Sequence, residues 1–170
     1  MRTIFGFTLL ELMTGIIVLI ILSAVGIPSF INIIQNHRLA ATAEQLFNFI
    51  QYARSEAIKL NTTVYVSFTA GSSWCYGANP GAACNCGASG GMTCTLGNFT
   101  APNATSTTLS ATGLVANSFS FDPIHAATDA SNLLITFTTF NKTPAISVEV
   151  GVTGNSQLCS ANVSGYQVCT

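Results

Sequence analysis

The sequence predicts an α+β protein: one long N-terminal helix, transmembrane in its first half and amphipathic in its second, packed on an antiparallel β-sheet head that disulfides staple. Three observations predict it. An apolar run opens at Phe7 and extends to Ile34 with Glu11 as its only charge. Apolar residues then recur at helical spacing to about Leu60 and at spacing two beyond Asn61. All six cysteines lie between Cys75 and Cys169, and none lies in the helix.

The first element is long enough to cross a bilayer, because about 20 mostly apolar residues span a hydrocarbon core of about 30 Å and Phe7 to Ile27 supplies them. Glu11 is the anomaly. A charge at that depth costs roughly 2.5–3.5 kcal/mol, so an intramembrane carboxylate marks a functional site whose partner must be found. No Lys or Arg stands nearby in the segment. A cleaved secretory signal would also show a basic start at Arg2, an apolar middle and small residues at Ser23, Ala24 and Gly26. It would have no use for Glu11, nor for a Gly6-Phe7 junction after a six-residue leader, and its apolar region is shorter.

Pro28 removes one backbone donor and is expected to bend the helix, which then continues as an amphipathic segment. Leu39, Ala43, Leu46, Phe47, Ile50, Ala53, Ala57 and Ile58 form its stripe, with Arg38, Glu44, Arg54, Glu56 and Lys59 largely off it. That stripe needs a core to cover it. From Phe7 to about Leu60 the helix would be about 80 Å long at 1.5 Å per residue.

Val64, Val66 and Phe68 alternate with Thr63, Tyr65 and Ser67, the pattern of a half-buried strand. Further strands are expected at Thr107 to Ser110, Ser118 to Phe121, Leu133 to Phe140, Ala145 to Val150 and Ser156 to Ser160, separated by Gly, Pro, Asn and Asp. A helix followed only by strands must lay its stripe on a sheet. Between Gly71 and Gly97 the chain is too poor in large apolar residues to pack by itself, so disulfides are its expected staple.

The domain organisation follows: residues 1–6 as a leader, 7–30 as the apolar helix and 31–170 as a single head. Only 6% of residues are charged. Beyond Lys59 one lysine, Lys142, faces Asp122, Asp129 and Glu149, leaving a formal charge of −2 and no basic footprint for nucleic acid. Six cysteines beyond the apolar helix read as disulfides of an oxidising compartment. Cys159 and Cys169 close a short C-terminal loop and are the preferred pair; Cys75, Cys84, Cys86 and Cys94 form the other two in a pairing the sequence leaves open. Zinc is a poor fit to those four, because Cys-x8-Cys-x-Cys-x7-Cys lacks the usual close pair of ligands and no His stands among them.

Met1 to Gly6 with its single Arg2, followed by Phe7-Thr8-Leu9-Leu10-Glu11, resembles the class III leader and mature N-terminus of type IV pilins and pseudopilins. The resemblance implies cleavage between Gly6 and Phe7 by a prepilin peptidase and N-methylation of Phe7. It also implies an inner-membrane anchor with a periplasmic head, and a Glu11 that neutralises the terminal amine of a neighbouring subunit. A carboxylate unpaired in lipid and paired in a filament core favours assembly. Gln51-Tyr52-Ala53-Arg54-Ser55-Glu56-Ala57-Ile58-Lys59 is similar to a helix stretch shared by the GspH, FimT and FimU branch of minor pilins and type II secretion H pseudopilins. Phe121-Asp122-Pro123 resembles the mid-domain turn of that branch, and Trp74-Cys75 with Cys84-Asn85-Cys86 its cysteine loop. The implied function is a non-enzymatic structural subunit that helps to initiate or cap a type IV pilus, or else the H pseudopilin of a type II secretion system. Its partners would be other major and minor pilins or pseudopilins.

One departure bears on a third reading, DNA uptake. Members of the FimT type that bind DNA carry a glycine-arginine-x-arginine motif near the C-terminus, where this chain has Gly154-Asn155-Ser156-Gln157. Non-specific DNA affinity comes from Lys and Arg on phosphates, and both arginines are missing. Catalysis has equally little support: His37 and His125 are the only histidines, and no motif assembles a nucleophile, a base and an orienting group. Asp122, His125 and Asp129 read as a solvated turn rather than a metal site, and no cofactor is expected.

Overall fold

The computed structural model describes residues 6–87, 91, 93–101, 107–139 and 143–169, without the side chains of residues 25, 27–29 and 32. Helix α1 runs Leu9–Leu60, unbroken through Pro28. It stops where Asn61 adopts φ 48°, Asn61 N–H bonds the Ile58 carbonyl at 3.3 Å and Thr62 N–H bonds the Ala57 carbonyl at 3.2 Å. This is a Schellman ending, with Asn taking the left-handed position that glycine usually fills.

Contacts divide the chain into two units at His37 and Arg38. In the first, Leu9, Leu10, Leu12, Met13 and Ile16 to Leu22 all expose their side chains. Among the described residues no helix is long and apolar enough to cross a membrane; the segment expected to do so, Phe7 to Ile27, includes Val25 and Ile27, whose side chains lie outside the description.

The second unit is the head. Its strands are β1 Val64–Thr69, β2 Cys75–Pro80, β3 Gly97–Thr100, β4 Thr107–Thr112, β5 Ser118–Phe121, β6 Leu133–Thr139, β7 Ala145–Val150 and β8 Ser156–Cys159. They form two four-stranded sheets, ordered β3-β2-β1-β5 and β4-β6-β7-β8, with every pairing antiparallel. The sheets meet where Gly71 and Leu109 exchange backbone hydrogen bonds of 2.8 and 3.1 Å, and where Trp74 Nε1 donates to Thr107 Oγ1 at 3.3 Å.

Between helix and sheets lies one core. Leu39, Ala43, Leu46, Ile50, Ala53 and Ala57 have no exposed surface and pack with Val64, Val66, Phe119, Phe121, Leu133, Ile135, Phe137, Ile146 and Val148. Burying a Leu, Ile, Val or Phe side chain contributes about 1.5–3 kcal/mol, so this stripe is what holds α1 to the head. Strand β6 alternates buried and half-buried residues along its whole length, as period two requires.

Four expectations need correction. The stretch between Gly71 and Gly97 is not merely a stapled loop: Cys75–Pro80 is an interior strand of its sheet, anchored by Trp74 and Tyr76, which stack at 5.9 Å. Gly97–Thr100 is a strand as well. Ile58 leaves the helix stripe, 56% exposed, while Phe49 joins the core. Glu56, expected largely off the stripe, is buried, its carboxylate accepting from Lys59 Nζ at 2.9 Å. Phe140, expected to end β6, lies outside the described residues.

Candidate functional site

Thr8 caps the helix that Glu11 opens. The Thr8 hydroxyl oxygen accepts from Glu11 N–H at 3.2 Å, and the Thr8 carbonyl accepts from Leu12 N–H, also at 3.2 Å. Thr8-Leu9-Leu10-Glu11 is thus a Thr-x-x-Glu cap, with its acid in the first turn, where unpaired amides and the helix dipole favour a carboxylate. Thr8, not expected from the sequence as a functional residue, is signalled there by its spacing of three from Glu11. Both residues are exposed, as is Phe7, and at Gly6 no heavy atom lies within 4 Å of a built Cβ. Among the described residues no basic side chain pairs with Glu11.

The cysteines pair as Cys75–Cys86, Cys84–Cys94 and Cys159–Cys169, closing sequence separations of 11, 10 and 10 residues. The first two interlock over the outer face of the first sheet. Cys84 N–H donates to Ser67 Oγ at 3.1 Å, and a Cβ added to Gly77 would stand 2.7 Å from Cys94 Sγ. Gly77 is therefore glycine because the second disulfide rests on its backbone. The third pair closes the C-terminal loop, whose Tyr166 hydroxyl donates to Glu44 Oε1 at 3.2 Å.

At the Phe121-Asp122-Pro123 turn, Asp122 Oδ2 accepts from His125 N–H at 2.8 Å and Ile124 N–H at 3.2 Å, and lies 3.2 Å from His125 Nδ1. The His125 amide, foremost among these contacts, holds the carboxyl below its usual range. Asp129 points elsewhere, accepting from Ser120 N–H at 2.7 Å and so tying the turn to β5. Among the described residues no three His, Cys, Asp or Glu side chains converge as metal ligands. His37 is exposed on α1, far along the chain from this turn.

Gly154 sits in the β7–β8 turn with φ 76°, packed on the Ala126 carbonyl and near the guanidinium of Arg54, whose Nη2 donates to the Thr153 carbonyl at 3.3 Å. The uncharged Gly154 to Gln157 stretch thus runs from this turn into β8.

A helix laid under two antiparallel sheets, with its first turns exposed and its loops stapled, is the fold of structural pilins. It superposes on two crystal forms of the type IV minor pilin FimU from Pseudomonas aeruginosa at 20% identity. One match has a TM-score of 0.55 and covers 72% of this chain and 89% of that one; the other has a TM-score of 0.52 and covers 71% and 91%. Residues 42–156 match the family model of the type II transport protein GspH. The chain belongs to the GspH family. No relative among curated proteins matches significantly.

Proposed function

We propose that this protein is a minor pilin that helps to initiate or cap a type IV pilus. Residues 1–6 are its leader, cleaved between Gly6 and Phe7 by a prepilin peptidase; residues 7–30 anchor it in the inner membrane and enter the filament core; residues 31–170 form the periplasmic head. The observation that carries the reading is the contrast along one helix. Its second half buries Leu39, Ala43, Leu46, Ile50, Ala53 and Ala57 in its own head, whereas Leu9 to Leu22 expose aliphatic side chains around a single carboxylate. An exposed apolar helix requires lipid or neighbouring subunits as its partner, and pilin-family membership supplies the second.

The family description favours one further reading, the H pseudopilin of a type II secretion filament. Both roles need the same anchor and a head that packs on neighbours. Affinity recovery of the full chain from detergent-extracted membranes of its native cell separates them. Pilus subunits among the partners are expected; secretion pseudopilins in their place would establish the second reading, and neither would overturn both. Intact mass of the same material is expected to show loss of Met1 to Gly6 and gain of one methyl group.

A further inference from the structure

Within the head, α1 and β3 leave a groove of about 530 Å³. Its helix wall is a single stripe, Ala41, Gln45, Asn48 and Tyr52, which at 1.5 Å per residue extends about 16 Å. Phe49 and Phe99 form the floor, their rings meeting edge to face at 5.2 Å. At Gly97, on the strand side, an added Cβ would press the Phe49 ring at 3.0 Å, so the floor requires glycine there. Among the described residues Glu44 is the one charged residue of the lining, and the Tyr166 hydroxyl donates to its carboxylate.

The shape and the charge together describe an occupant. A shallow groove about three helical turns long, with an aromatic floor, suits the apolar stripe of another helix. The Glu44 carboxylate in the lining suits a cation through charge pairing. This chain displays that combination on its own surface: Ile34 and Arg38, one helical turn apart, are both exposed. We infer that the groove receives an exposed helix of a neighbouring pilin-class subunit, an aliphatic side chain lying over Phe49 and Phe99 and an Arg or Lys one turn further on meeting Glu44. The inference rests on the structural-subunit reading and names the surface it uses. Because the groove and the helix it accepts are different surfaces, the contact is heterologous and does not close a two-fold dimer.

The test places a photo-reactive amino acid at Gln45 in the full-length chain, expressed with its pilin-class partners in the native cell, and identifies the adducts by mass spectrometry. An adduct to an exposed helix of a pilin-class subunit, at an aliphatic residue followed one turn later by Arg or Lys, is expected. Tyr52→Ala is expected to lower its yield about fivefold or more, as loss of an interface aromatic does, and Asn48→Lys, at an exposed position clear of the core, to suppress it by charge repulsion. Adducts only to lipid or to unrelated proteins, or yields unchanged by both variants, would overturn the groove while wild-type recovery with pilin subunits left the broader reading standing. Failure of the wild type to recover any pilin subunit would overturn that broader reading first.

Discussion

The Tyr166 hydroxyl and the Glu44 carboxylate meet at 3.2 Å across 122 residues of sequence. This contact fastens the loop closed by Cys159–Cys169 to the helix and sets the direction of Glu44 at the mouth of the groove. Partial burial first, and then the bond to Glu44, raise the Tyr166 pKa above its ordinary value. A group whose folded pKa is raised contributes stability that is present below its unfolded pKa, near 10, and lost as pH rises through the folded one. Wild type is therefore expected to lose more stability than Tyr166→Phe between neutral pH and strongly alkaline pH, read by thermal melts of the full chain in detergent. Equal losses would show that the bond does not contribute.

The disulfides are a second handle. In the chain-entropy model a loop of ten or so residues contributes about 3 kcal/mol, so reduction is expected to lower the melting temperature markedly. Non-reducing peptide mapping is expected to return Cys75 with Cys86, Cys84 with Cys94 and Cys159 with Cys169. A Cys84–Cys86 link, or free thiols in the native protein, would contradict the interlocked arrangement.

Gly154→Ala tests the β7–β8 turn. The new methyl would collide with the Ala126 carbonyl, and the backbone at φ 76° disfavours any L side chain. A loss of about 1–3 kcal/mol is expected, measured by denaturant unfolding. A neutral result would mean that the turn shifts freely away from Ala126.

The proposed role of Glu11 in assembly can be separated by one substitution from its place in the helix cap. As a first-turn residue it supports the cap formed with Thr8, and Gln serves that cap as well. The proposed assembly role depends on charge, because only a carboxylate would pair with a neighbour's terminal amine in a low-dielectric core. Glu11→Gln is therefore expected to keep helix and head intact yet lower co-recovery with partner pilins at matched protein levels. Wild-type recovery by this variant would remove Glu11 from assembly. Thr8→Ala is the converse control, costing about 1 kcal/mol of helix-end stability with the charge retained.

Much of this molecule was legible in local pattern. The helical stripe from Leu39 to Ala57, the alternation of Val64, Val66 and Phe68, and the strands at Ser118–Phe121 and Ala145–Val150 follow from periodicity, because a buried face repeats with the geometry of its own element. The sequence by itself also determined that the chain has an apolar start with one carboxylate and that its cysteines belong to the head. Tertiary structure decided the rest, wherever a residue's role depends on partners distant in sequence. Cys75–Pro80 lies in a stretch poor in large apolar residues and becomes an interior strand because Val64–Thr69 and Gly97–Thr100 pair with its two edges. Phe49 reads as off-stripe and becomes the floor of a groove because Phe99 and Gly97 lie against it. The order of the cysteine pairs was undecided for the same physical reason: a disulfide forms where the fold brings two Cβ atoms together, and here the outer face of the first sheet, bare at Gly77, sets that place.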